Sequence, residues 1–96
     1  MTRVDTKIEG LIHSFLKEHL SRYGLEQIDV EVGRDHSGDP ALFINAYYRL
    51  SKEPVQPRSI LHVLTELRHI LVSQGETRFP YLRHHFDEKQ QVATRG

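Results

Sequence analysis

Ninety-six residues leave room for one hydrophobic core, and a chain of that size buries only about 60–65% of its unfolded surface, so burial against another chain would help it. Thirteen basic side chains balance thirteen acidic ones with no block of five like charges, which argues against a dedicated nucleic-acid or membrane-surface binder. Cysteine is absent, excluding disulfides, thiolate zinc sites and cysteine nucleophiles. With neither a leader-like apolar stretch nor a run long enough to span a bilayer, the expectation is a cytoplasmic protein without membrane contact.

Residues 1–24 read as a first helix. Ile8, Leu11, Ile12, Phe15, Leu16 and Tyr23 fall on one side, with Val4 in line, and Lys7, Ser14, Lys17 and Ser21 on the other. Thr6 with Glu9 fits a capping box, as does Thr2 with Asp5, and Gly24 is a natural stop. His19 falls near the middle of the apolar face and is expected to be a core histidine with a polar partner; as a titratable group it is also the candidate functional histidine.

Residues 26–34 alternate, with Ile28, Val30 and Val32 pointing one way and Gln27, Asp29 and Glu31 the other, as in a strand with one face on a core. Turn formers Asp35–Pro40 lead into a second strand over 41–50, so the pair predicts an antiparallel hairpin. The second strand is apolar on both faces: Leu42, Ile44, Ala46, Tyr48 and Leu50 on one, Ala41, Phe43 and Tyr47 with Asn45 and Arg49 on the other. If the first face covers the helices, Phe43 and Tyr47 lie beside Asp29 and Glu31 on the reverse, packing across strands or beneath a further layer.

After a connector over 51–56, the stretch from Pro57 to Gly75 predicts one long helix, proline at its first position and glycine just past its end. Its apolar residues Ile60, Leu61, Val63, Leu64, Leu67, Ile70 and Leu71 span an arc of roughly 200°, wider than the ~100° stripe one packing surface needs. That width predicts burial on two sides, against its own sheet and against something else. Beyond Gly75, Leu82, His84 and Phe86 share one period-2 face and Tyr81, Arg83 and His85 the other, which allows a short third strand; Phe79, Tyr81 and Phe86 are expected to dock on the body. Residues 87–96 are polar and expected to fray.

The fold class expected is therefore α+β: a single small domain over 1–86, α-β-β-α in order, helices on one face of an antiparallel hairpin sheet. Two strands alone are marginal, which favours a homo-oligomer or the extra strand.

Chemistry is thinly signalled. Asp35 and Asp39 with Ser37 and Gly38 lack the calcium-loop spacing, and turn formation accounts for all four. His62 and His69 share a helix face about 10 Å apart, too far to hold one ion, and adjacent His84 and His85 point to opposite faces if extended. Asp29 and Glu31 are about 7 Å apart, a spacing paired catalytic carboxylates use, yet alternating acids on a strand face more often solvate it. No nucleophile elbow or phosphate cradle occurs, so no cofactor, catalytic residue or metal ligand is assigned. The expectation is a non-catalytic protein–protein interaction module, homodimeric, with Phe43, Tyr47, Leu61, Phe79, Tyr81 and Phe86 as candidate interface. One alternative is nucleic-acid binding by the arm in which Arg78, Arg83, His84 and His85 interleave with aromatics. Another is a small enzyme with its site at a subunit interface, drawing on His19, Asp29, Glu31 or Tyr47.

Overall fold

A computed structural model describes residues 5–51, 53 and 55–86. In chain order the elements are helix α1 (Thr6–Leu20), a 3-10 turn (Ser21–Tyr23), strands β1 (Leu25–Arg34) and β2 (Pro40–Tyr48), helix α2 (Pro57–Ser73) and strand β3 (Phe79–His85). The class is α+β, as the hydrophobic periods imply. Residues 87–96, expected to fray, and Val4 lie outside the described residues.

Helix α1 buries Ile8, Ile12, Leu16 and Leu20, a stripe at i, i+4 spacing. Thr6 lies inside the helix and Asp5 at the N-cap makes no side-chain capping bond, so the Thr6–Glu9 capping box does not form. The Glu9 amide instead donates to the Asp5 carbonyl at 2.8 Å, beginning the ordinary ladder. The helix tightens to 3-10 geometry over its last turn and stops at Gly24, whose φ of 97° is left-handed.

The hairpin is antiparallel, with Asp29 opposite Asn45 and Glu31 opposite Phe43 and an irregularity between Leu25 and Gln27. Its tip is tied by Asp35, whose Oδ1 accepts the amides of Ser37 and Asp39 at 2.9 and 3.0 Å. Turn chemistry thus accounts for the Asp35 carboxylate, while Asp39 joins the turn through its backbone, its carbonyl accepting from the Asp35 amide at 2.9 Å. The third strand exists and joins β2 in parallel, giving a mixed sheet of order β1-β2-β3. Parallel pairing follows from the connection: α2 carries the chain back along the sheet, so β3 starts beside the start of β2. Pro80 sits on this edge strand, the place in a sheet that tolerates a missing donor.

Both helices pack on one sheet face. Ile28, Leu42, Ile44, Ala46 and Tyr48 from the strands meet Ile12, Leu16, Leu20, Val63, Leu67 and Leu71 from the helices in one core. Burying each of the larger aliphatic side chains contributes about 1.5–3 kcal/mol. Helix α2 is anchored by Val63, Leu67 and Leu71 only; Ile60, Leu64 and Ile70 are half-buried and Leu61 is 66% exposed. The wide apolar arc is therefore satisfied on one side within the subunit. Leu50, expected to continue the inner face of β2, lies beyond the strand and is exposed.

Candidate functional site

Among the described residues no element covers the second face of the sheet. The register sets its side chains in rows across three strands: Gln27–Tyr47–His85, Asp29–Asn45–Arg83, Glu31–Phe43–Tyr81 and Gly33–Ala41–Phe79. Alternation along each strand turns these residues away from the helices, except that Phe79, at the start of β3, reaches the side of α2. Phe43, Asn45 and Tyr47 are half-buried, while Asp29, Glu31, Arg83 and His85 are exposed.

Ring stacking organises the face. Phe43 stacks on Tyr81 with centroids 5.6 Å apart, and Tyr47 on His85 at 4.7 Å. The Arg83 guanidinium lies 4.8 Å from the centre of the Phe43 ring, a cation–π contact. His85 Nε2 is 2.9 Å from Asn45 Oδ1, which accepts when that nitrogen carries the proton. Gly33 leaves the room into which the Phe43 ring leans, since a Cβ there would stand 3.0 Å from Phe43 Cε2. At the hairpin end the Tyr81 hydroxyl donates to Asp35 Oδ2 at 2.9 Å. Backbone and Tyr81 donors hold the Asp35 carboxyl below the usual aspartate range, and the same bond raises the Tyr81 phenol. The surface is thus a fixed set of rings, with acids along β1 and Arg83 and His85 along β3.

Of the candidate interface residues, Phe43, Tyr47 and Tyr81 come together here. Phe79 stands at the start of β3, edge-on to Tyr81 at 4.9 Å and 4.9 Å from the Arg68 guanidinium of α2. With Leu64, Arg68, His69 and Val72 it lines an open groove of about 500 Å³. Leu61 projects from α2 and belongs to neither surface. Phe86 turns to the helix side and stacks on Tyr48 at 4.7 Å. His19 is half-buried at the rim of the core, where it packs on Phe15 with centroids 4.3 Å apart; no hydrogen bond to a polar partner forms among the described residues. It lies on the helix side, so it does not converge with Asp29, Glu31 or Tyr47. His62 and His69 are both exposed.

Two polar pairs escape sequence reasoning. Glu76 is buried just after α2, and its carboxylate accepts from the Arg78 amide, Nε and Nη2 at 3.0, 2.7 and 2.8 Å. Those bonds hold its pKa low against the opposing effect of burial. Tyr48 and His84, side by side on the helix face, bring Oη and Nδ1 within 2.7 Å. The hydroxyl donates to a bare Nδ1 in one tautomer and accepts from Nδ1–H in the other. The buried His84 Nε2 has no partner among the described residues. Period-2 spacing puts His84 on the inner face; its meeting with Tyr48 depends on the parallel register, which the sequence does not reveal.

Burial pushes the Tyr48 phenol above 10 and holds the His84 imidazole below 6.5, the latter reinforced by His85. The unfolded chain therefore binds more protons as pH falls below about 6.5, and stability that is fully present above that value is lost towards the lower folded-state value. The denaturation midpoint is expected to be lower at about pH 5.5 than at about pH 8, and His84→Phe should flatten that dependence. An unchanged slope in the variant would assign it to another group.

No protein-family model matches the chain, and no curated protein matches it. A solved structure to which it is similar is the metal-bound C-terminal domain of the CzcD transporter from Cuprividus metallidurans: 19% identity, 79% of this chain and 96% of that one covered, TM-score 0.38. Among the described residues no group of three or more histidine, aspartate and glutamate side chains is placed to hold a metal ion. No described helix is long and apolar enough to cross a membrane.

Proposed function

We propose that this chain is a small cytoplasmic interaction module that works by binding another protein through the open sheet face. The observation that carries the reading is the pair of ring stacks, Phe43–Tyr81 and Tyr47–His85, held half-open on a face that no described element covers. Contiguous apolar surface rimmed by polar groups marks an association site, and aromatic and arginine side chains are enriched where binding energy concentrates. Leu61, the helix residue expected to join the interface, stands apart from this surface and serves as its control.

A photo-crosslinking phenylalanine analogue at position 47 should capture a protein in cells, and the same group at position 61 should not. Equal capture at both sites, or capture at 61 alone, would sink the proposal.

A second reading is binding of single-stranded nucleic acid, favoured by stacked rings with the Arg83 guanidinium among them. The exposed carboxylates of Asp29 and Glu31 on the same face oppose it by repelling phosphate. Labelled single strands titrated at two salt concentrations decide it, because phosphate contacts weaken as salt rises; no binding at the lower salt ends the idea.

A further inference from the structure

The open face is charged in opposite senses along its two edges, and that polarity selects a partner. Asp29 and Glu31 lie along β1, Arg83 and His85 along β3, and the Phe43 and Tyr47 rings on the strand between. Two copies of such a face meet across a two-fold axis lying between the sheets. If the axis runs across the strands, β1 lies over β1 and acid meets acid. If it runs along them, β1 of each copy lies over β3 of the other and every row faces itself. Asp29 then opposes the partner's Arg83, Gln27 the partner's His85, and the Phe43 and Tyr47 rings meet their own equivalents at the centre.

We infer that the partner is a second copy of this chain, docked face to face about a two-fold axis along β2, with Asp29 paired to the partner's Arg83 on both sides. This rests on the open face being the binding surface.

Within one subunit Asp29 and Arg83 are separated by the central strand, both facing Asn45. Their strands are therefore about 9.6 Å apart, and within the subunit the Arg83 guanidinium lies over the Phe43 ring rather than on Asp29, so a second copy supplies the pair that one copy does not form. Sheets packed face to face lie about 10 Å apart, a gap that an arginine and an aspartate side chain bridge. Three strands at ~4.8 Å and seven residues at ~3.3 Å outline a patch of about 14 by 23 Å. Two such faces cover roughly 650 Å² in all, below the ~1,200 Å² of stable specific interfaces, so the dimer is weak and concentration-dependent.

Sedimentation equilibrium from about 5 to 500 µM tests this, with the chain alone and with Asp29→Arg, Arg83→Asp and their equimolar mixture. Each single variant places like charges opposite one another twice and should dimerise about tenfold more weakly. In the mixture the arginine introduced at 29 faces the aspartate introduced at 83, and the native pair Arg83–Asp29 also survives across the interface. The mixture should therefore associate more tightly than either variant alone, an outcome that charge removal within a subunit cannot produce. Both positions are exposed, and Asp29→Lys with Arg83→Glu repeats the test if either first variant unfolds.

A parent chain that stays monomeric throughout overturns the second copy while leaving the crosslinking result at position 47 to judge the face. Dimerisation of the parent without weakening in the singles, or weakening without recovery in the mixture, overturns the arrangement.

Discussion

Leu67→Ala is expected to cost about 2–5 kcal/mol of folding stability. Leu67 is fully buried at the centre of the only stripe by which α2 holds the sheet, between Val63 and Leu71 one turn away on either side. Truncation removes the transfer energy of the lost methyl groups and leaves a cavity between helix and strands that cannot close without moving the helix. Leu61→Ala on the same helix is the contrast: that side chain is 66% exposed, and its loss should change stability by no more than about 0.5 kcal/mol. Urea denaturation of the two variants measures both. Similar losses would mean that α2 is seated on a different face.

Gly24→Ala is expected to be of similar severity, about 3 kcal/mol, by a different mechanism. The residue holds a φ of 97°, where an alanine is strained by about 1–2 kcal/mol. Its new Cβ would also press on the Arg49 carbonyl oxygen and stand 3.2 Å from Ser51 Cβ, and overpacking of that kind costs about 1–3 kcal/mol. The neighbours cannot withdraw freely, because the Arg49 amide donates to the Gly24 carbonyl at 2.9 Å and so fixes the exit of β2 against the entry of β1. For a chain of this length the loss is a fall of roughly 12–24 °C in Tm. A drop of only a degree or two would show that the junction adapts.

The elements were legible because their hydrophobic periods are clean. Val63, Leu67 and Leu71 repeat at helical spacing, Leu42, Ile44, Ala46 and Tyr48 at strand spacing, and each set is buried as its period implies. Leu82, His84 and Phe86 likewise separate from Tyr81, Arg83 and His85. What periodicity does not carry is which strands are neighbours. The direction of β3 follows from a crossover, and only that direction sets Tyr81 beside Phe43, His85 beside Tyr47 and His84 beside Tyr48. The same gap explains the excess width read from α2: Leu61 and Val72 extend its apolar arc, but the sheet is narrow, and a three-strand layer shared by two helices has no second wall to offer the helix. His19 misled because the buried stripe of Ile8, Ile12, Leu16 and Leu20 lies to one side of the apolar arc, which leaves His19 with Phe15 at its half-buried margin.

The central strand has one further consequence, in the order in which the molecule is made. Strand β2 borders β1, its neighbour in the chain, and β3, which follows only after the whole of α2; Tyr48 and the His84 it meets are 36 residues apart. During synthesis the hairpin can therefore close early, while the other edge of β2, with Leu42, Ile44 and Ala46 on its inner face, stays without a neighbour. An unpaired apolar strand edge recruits any strand it meets. The interval before β3 emerges is the period in which this chain is most exposed to pairing with the wrong neighbour, and a ribosome that pauses within α2 would lengthen it.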